Sequence, residues 1–369
     1  MKPADQLAQL LNGEACWPDA DVDWEDLLGQ ARRAALSARL GHAAAASAGA
    51  AAMPAGAGVL LQSAQKVGEH VAVAMRMEVR RIELALARRD LRCVLLKGAA
   101  YLAAGLPAAN GRVFGDVDLL VPRVEIERAE GALFAGGWMT SDTGEYSQRY
   151  YREWMHEIPP LRHVRRGSVV DLHHTITPPT SAFRVDGAAL LAQARPVDGQ
   201  PGIWTLQPVD MVLHSAVHLF AEGEFDRGLR DLLDMIDLLR HFEAVEPGFW
   251  STLLARAEEL GLQRPLHHAL FHIERLFGPC VPVGMRAQIH AMRAPWLQHA
   301  LMAWMLAVAL RPRHPSAHTA GEGLVRWLLY VRSHWLRMPL RLLLPHLVRK
   351  AWMGQIESRK RKLVNPAGL

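Results

Sequence analysis

The sequence predicts an α+β fold, with a small mixed sheet set between N-terminal helices and a larger C-terminal helical region. Three observations predict it. Short apolar runs of strand length cluster between residues 90 and 180. Stretches with three- and four-residue spacing dominate before and after that block, and Gly or Pro punctuates the transitions.

Residues 1–40 read as short helices, with Trp17 and Trp24 near the start signal "DADVDWEDLL". The stretch "GHAAAASAGAAAMPAGAG" (41–58) is either an exposed helix or a loose connection, and it marks a weak boundary. From Val59 to Arg89, Glu and Arg recur at helical spacing. "LRCVLL" (91–96) reads as a buried strand ending at Lys97-Gly98, and "AAYLAAGL" as a helix that Gly105 and Pro107 terminate. "FGDVDLLVP" is a second strand, closed by Pro122. "RVEIERAEGALFAGGW" is an amphipathic helix stopped by Gly136-Gly137. "HEIPPLRHVRRGSVVDLHHTI" (156–176) reads as two strands around an Arg-Arg-Gly turn, ended by Pro178-Pro179. The expected order over residues 90–180 is thus strand–helix–strand–helix–strand–strand.

After Pro208 the pattern is helical. "PVDMVLHSAVHLFAEG" has Pro in its first turn and Asp210 near the positive helix end. "RGLRDLLDMIDLLRHF" places Leu229, Leu232, Leu233 and Ile236 on one face. Further helices extend to residue 310, "RPRHPSAHTAGEG" is a loop, and a basic, Trp-rich stretch follows. The expected division is 1–58, 59–205 (the sheet-bearing core with its leading helix), 206–310 and 311–369.

Half of the 369 residues are hydrophobic, and 42 Lys and Arg against 37 Asp and Glu give a net charge of +5. With a mean hydropathy near zero and a pI of 9.3, the balance suits an anionic ligand or surface without pointing to nucleic acid. Cys16, Cys93 and Cys280 are scattered, so they form neither a disulfide framework nor a CxxC site, and Cys93 reads as a small core residue. The N-terminus lacks the apolar centre of a signal peptide. The longest uncharged apolar stretch, "ALMAWMLAVAL", is about half of the ~20 residues that span a bilayer. The expectation is a cytoplasmic protein with no transmembrane segment. In the basic stretch, arginines interleave with Trp327, Trp335 and Trp352. This fits a membrane-surface or nucleic-acid contact. The favoured expectation is a helix pair that buries its Trp and Leu face, with arginines snorkelling outward. "SRKRK" (358–362) reads as a solvated tail.

The chemistry lies in an ordered set of carboxylates. Asp116 and Asp118 project from one side of a strand. Alone they read as a solvated strand end. Joined to the Lys97-Gly98 turn before them and Asp171 in "SVVDLHH" after them, they put three carboxylates on one sheet face. Burying these unpaired is costly. Mg²⁺ accounts for them better, since it prefers oxygen and takes one or two carboxylates plus substrate phosphates. Two such ions would clamp the oxygens of an in-line phosphoryl displacement. The Lys97-Gly98 turn offers amides to phosphate, and Lys97 or Arg112 offsets negative charge. Glu157 competes with Asp171 for the third position. His173 shares a face with Asp171 and is expected to line the site, whereas His174 points away. His214 and His218 have zinc-pair spacing but no evident third ligand, so they read as interior or cleft-facing. Asp231 and Asp234, beside Arg227 and Arg230, read as helix-face ion pairs.

Together, "LLKGAAYLAAGL", "GRVFGDVDLLV" and "VVDLHHTI" resemble nucleotidyltransferases of the DNA-polymerase-beta type, and within them a bacterial family of uncharacterised nucleotidyltransferases. The resemblance covers roughly residues 60–245. It implies a nucleotidyltransferase core that moves a nucleoside monophosphate from an NTP to a hydroxyl and releases pyrophosphate, with Mg²⁺ or Mn²⁺ as cofactor. Asp116 and Asp118 would be metal ligands. Asp171 would complete the metal site and help deprotonate the acceptor, which is a small molecule, a protein or an RNA. Gly98 would support the triphosphate, with Lys97, Arg112 and His173 also at the nucleotide, and Asp231 would stand at the cleft wall. Two features depart from the superfamily pattern: Lys97-Gly98-Ala99 stands where Gly-Gly or Gly-Ser is usual, and the gap from Gly98 to Asp116 is long. Two alternatives stay open. One is a catalytically degenerate protein that binds nucleotide or a partner, and the other a peripheral membrane assembly factor acting through its basic C-terminal region.

Overall fold

A computed structural model describes residues 3–13, 17, 23–47, 53–140 and 144–339. Four helices come first: α1 (Pro3–Leu11), α2 (Trp24–Arg33), α3 (Ser37–Ala45) and the long α4 (Ala55–Ala87). The Asp23 carboxylate caps α2 by accepting from the Asp26 amide at 3.0 Å. Part of the Ala/Gly-rich stretch is helix for a packing reason. A Cβ on Gly41 would strike the Leu61 carbonyl, and one on Gly68 the Ala38 methyl, so glycine lets α3 and α4 close together. Residues 48–52 of that stretch, Cys16, Trp352 and the "SRKRK" tail lie outside the described residues.

The sheet contains β1 (Cys93–Leu95), β2 (Asp116–Leu120), β3 (Trp138–Thr140), β4 (Leu161–His163), β5 (Val169–His173), β6 (Arg195–Pro196) and β7 (Ile203–Thr205). Its order is β3-β4-β5-β2-β1-β7-β6. β2 lies parallel to β5 and antiparallel to β1, so the sheet is mixed. Helices α5 (Lys97–Ala103), α6 (Ile126–Ala135), α7 (Glu145–Trp154) and α8 (Gly187–Ala192) intervene. The expected strands and helices are present. The structure adds β3 and α7 to the block and extends the sheet through β7, which pairs with β1 in parallel. β3 and β7 are three residues each, too short to show an alternation, and long-range pairing creates them.

Helices α9 (Pro208–Glu222), α10 (Gly228–Val245), α11 (Phe249–Glu259), α12 (Gln263–Phe277), α13 (Arg286–Ala291), α14 (Trp296–Ala309) and α15 (Glu322–Arg337) complete the described chain. α9 is buried along nearly its whole length, Asp210 included. The cost of burying that carboxylate is offset by Arg256 of α11, whose Nε and Nη2 donate to its two oxygens at 2.9 and 3.1 Å. One apolar core runs from the N-terminal helices through the sheet into the helical region.

α15 corrects part of one expectation, since residues 340–369, where the second helix of the pair is expected, lie outside the described residues. Trp327 and Trp335 are 57% and 65% exposed, and the arginines turn inward. Arg332 donates to the Phe220 carbonyl, Arg337 to the Glu222 carbonyl, and Arg326 pairs with Glu322. Those inward partners are main-chain and carboxylate acceptors that the sequence spacing of α15 does not reveal. Among the described residues, no helix is long and apolar enough to cross a membrane.

Candidate active site

A cleft of about 1250 Å³ lies between the carboxylate-bearing strands and the helices α9, α10 and α15. Asp116, Asp118 and Asp171 all line it. Parallel pairing puts Asp118 opposite Asp171 and Leu120 opposite His173, so the period-two alternation of β2 and β5 presents these side chains on one face. Asp116, at the strand start, is exposed, Asp171 is half-buried and Asp118 is buried.

Asp118 is held from two sides. Lys97 Nζ lies 3.1 Å from its Oδ1, and His173 Nε2 lies 3.0 Å from the same oxygen. Lys97 reaches it from the first residue of α5, where its φ of 46° gives a left-handed turn that non-glycine residues rarely adopt. Burial opposes ionisation of Asp118, but the Lys97 ammonium and the His173 hydrogen bond outweigh it and hold the carboxyl well below its usual range. Burial opposes the Lys97 charge as well, and Asp118, Glu222 and Glu157 raise its pKa above the ordinary value.

Asp171 is in the opposite situation. Its Oδ1 is buried without a hydrogen-bond partner. Burial, then the negative charges of Glu157 and Asp118, push its carboxyl up to about 7. Glu157 also titrates high, first because of burial. An unpaired carboxylate oxygen among like charges is the local signature of a place that a cation would stabilise.

The other expected residues fall in and around the cleft. Gly98 and Arg112 line it, and a Cβ on Gly98 would come within 2.8 Å of Arg112 Nε. Glycine therefore admits the Arg112 side chain against the start of α5. Arg112 is largely buried and ion-paired with Asp234, which also lies 3.6 Å from Arg39 of α3. Burial and the nearby Arg230 lower the Arg112 pKa to about 10. Asp234 is thus an interior anchor, not a helix-face partner of Arg230. Arg230 pairs with Asp231, which does line the cleft. His173 departs from expectation. It is 1% exposed and lies behind Asp118, so its position suits orienting that carboxylate and not touching a nucleotide.

His218 lines the cleft, one of the two positions its spacing allows, and beside it stand His156 and Glu222, which the expected site does not include. His218 lies 2.7 Å from Glu222, and His156 3.6 Å from the same carboxylate. Burial opposes the Glu222 charge, but His218 and His156 hold its pKa well below the usual value. Asp210, His214, His218 and Glu222 recur every four residues on a largely apolar α9, and that polar stripe is the signal the sequence carries. Among the described residues, one group of three metal-ligand side chains has its donor atoms all within 4.8 Å of one another: His156, Glu157 and His173. The three aspartates do not meet that spacing.

A family model described as uncharacterised nucleotidyltransferase matches residues 20–278, a longer span than the one that carries the motifs. No curated protein and no solved structure matches the chain.

Proposed function

The chain belongs to the uncharacterised nucleotidyltransferase family, and on that premise we propose that it moves a nucleoside monophosphate from an NTP to a hydroxyl with release of pyrophosphate. The observation that carries this reading is the in-register pairing of Asp118 with Asp171, beside Asp116, on the floor of a cleft large enough for two substrates. The order of strand, turn, helix, Asp-x-Asp strand and later carboxylate strand supports a core of the polymerase-beta type.

The donor set suits Mg²⁺ or Mn²⁺. All three side chains offer oxygen, Asp171 Oδ1 lacks any partner, and such an ion needs only one or two of the carboxylates when substrate phosphates complete its shell. When bound, the ion would supply charge stabilisation for the phosphoryl oxygens and the leaving pyrophosphate. Asp116 and Asp171 would hold it, with Asp118 fixed alongside by Lys97 and His173. The acceptor hydroxyl oxygen forms the new bond to the α-phosphorus as the bond to the β-phosphate oxygen breaks. Its proton passes to Asp171, the carboxylate with an unused oxygen. Lys97, Gly98 and Arg112 line the cleft within reach of an anionic ligand, and we assign them to the nucleotide. Glu157 is the second carboxylate available for the proton.

The test is pyrophosphate formation by purified protein with each NTP and Mg²⁺ or Mn²⁺. Release by the wild type, lost in Asp116→Ala, supports transfer. NTP binding without pyrophosphate from any NTP or acceptor, unchanged in Asp116→Ala, would instead favour a degenerate core.

A further inference from the structure

Beside the carboxylates of β2 and β5 lies a further group of ligand-type side chains, His156, Glu157 and His173. Glu157 Oε2 lies 3.5 Å from His173 Nε2, and the rings of His156 and His173 are 5.2 Å apart with a 32° tilt. Both histidines are buried, at 6% and 1% exposure. Each turns Nε2 toward a carboxylate: His173 to Asp118 at 3.0 Å, and His156 to Glu222 at 3.6 Å. In each ring Nδ1 is buried with no hydrogen-bond partner. An unsatisfied buried polar group is costly, so two in adjacent rings call for a cause. An imidazole that ligates a metal has this arrangement, with one nitrogen on the ion and the other held by a carboxylate.

The backbone fixes the group. His173 ends β5, and residues 156–158 run beside it through an antiparallel Glu157–His173 bridge. Ile158 N donates to Leu172 O at 3.0 Å and His174 N to His156 O at 2.9 Å. The three ligands therefore sit on paired main chain and not on a free loop.

We propose that His156, Glu157 and His173 bind one divalent transition ion of the zinc type, at a position distinct from the all-oxygen set of Asp116, Asp118 and Asp171. Two imidazoles and a carboxylate are a known three-ligand set for zinc, leaving a fourth position open. Nitrogen donors favour zinc over Mg²⁺, which takes oxygen. Donors at roughly 2.0–2.2 Å from one ion lie roughly 3.5 Å apart in a tetrahedron, and each of the three side chains offers a ligand atom within 4.8 Å of the other two. His156 and Glu157 line the cleft, so the ion would lie beside that space. Asp118 and Glu222 are the outer carboxylates that orient the rings. The proposal does not depend on nucleotidyl transfer.

The test uses the full chain, purified, loaded separately with Zn²⁺ and Co²⁺, desalted and assayed for metal, with visible absorption of the Co²⁺ form. The expected result is a single retained equivalent with ligand-field bands in the wild type. Loss of both is expected in His156→Ala and in Glu157→Gln, each shown folded by circular dichroism, and full retention in Asp116→Ala. No retained metal in the wild type would overturn the proposal. So would an unchanged equivalent in both His156→Ala and Glu157→Gln, or its loss in Asp116→Ala, which would move the ion to the aspartates. Any of these failures leaves the pyrophosphate assay and its reading untouched.

Discussion

His272 on α12 makes stability depend on pH in a way that can be worked out from its surroundings. It is 1% exposed, stacks on Phe220 at 6.2 Å, meets the edge of Phe271 at 5.1 Å, and has no partner for its Nε2. Burial first, then Arg275 and neighbouring histidines, lower its pKa to about 3. The unfolded chain binds this proton near the ordinary value of about 6.5, and the folded chain does not. The native state is therefore unpenalised above about pH 6.5 and loses stability as pH falls from there toward 3. One pH unit below 6.5 the loss is about 1.4 kcal/mol from this residue, since one unit corresponds to about 1.36 kcal/mol. His268 and His267, lowered to about 3 and about 4 by burial, act in the same direction. Together the three remove about 4 kcal/mol there, a large share of a stability of about 5–15 kcal/mol. Groups raised in the folded state, Asp171 among them, work the other way, so a difference measurement is needed. Urea unfolding of wild type and His272→Leu at about pH 7.5 and about pH 5.5 supplies it. The variant should lose about 1.4 kcal/mol less than wild type between the two conditions. An equal loss in both proteins would show that His272 does not titrate low in the folded chain.

Other substitutions test the frame that carries the cleft. Asp210→Ala leaves Arg256 without its buried carboxylate and should lower stability by about 3–5 kcal/mol, seen as a drop in the thermal midpoint. Gly187→Ala sets a methyl against the His174 carbonyl, and the backbone shift it forces should cost about 1–3 kcal/mol in urea unfolding. An unchanged midpoint in either variant would show that the close contact is not maintained in solution. Asp171→Asn should keep the fold and lower the rate of pyrophosphate release by about 10²-fold or more, because proton transfer from the acceptor contributes about 10²–10⁴. Wild-type rates in that variant would remove Asp171 from the chemistry.

The sheet face that carries the candidate site was legible because strands repeat every two residues. Asp116 with Asp118, and Asp171 with His173, could be placed on one side from spacing alone. Pairing of β2 with β5, separated by β3 and β4 in the chain, was not readable from spacing. Nor could spacing reveal which distant side chain would satisfy which charge. Arg112 stands on a loop and finds Asp234 of α10, with Arg39 of α3 on the same carboxylate. His173 was readable as facing the site, but not as buried behind Asp118, because that depends on Lys97 reaching across from α5. The tryptophans of α15 failed for a related reason: the inward acceptors, Phe220 O and Glu222 O, belong to another helix. Local periodicity predicts faces, and tertiary partners decide which face is buried.

Nucleotidyl transfer is measured most directly by incubating α-phosphate-labelled NTPs, Mg²⁺ and cell extract with wild-type protein and with Asp116→Ala/Asp118→Ala. Wild type should transfer label to an acceptor with equivalent pyrophosphate, and the double variant at least about 10²-fold less, given the size of lost charge stabilisation at such sites. Equal labelling by both proteins would contradict transfer at these aspartates, and so would the absence of labelled product with every NTP.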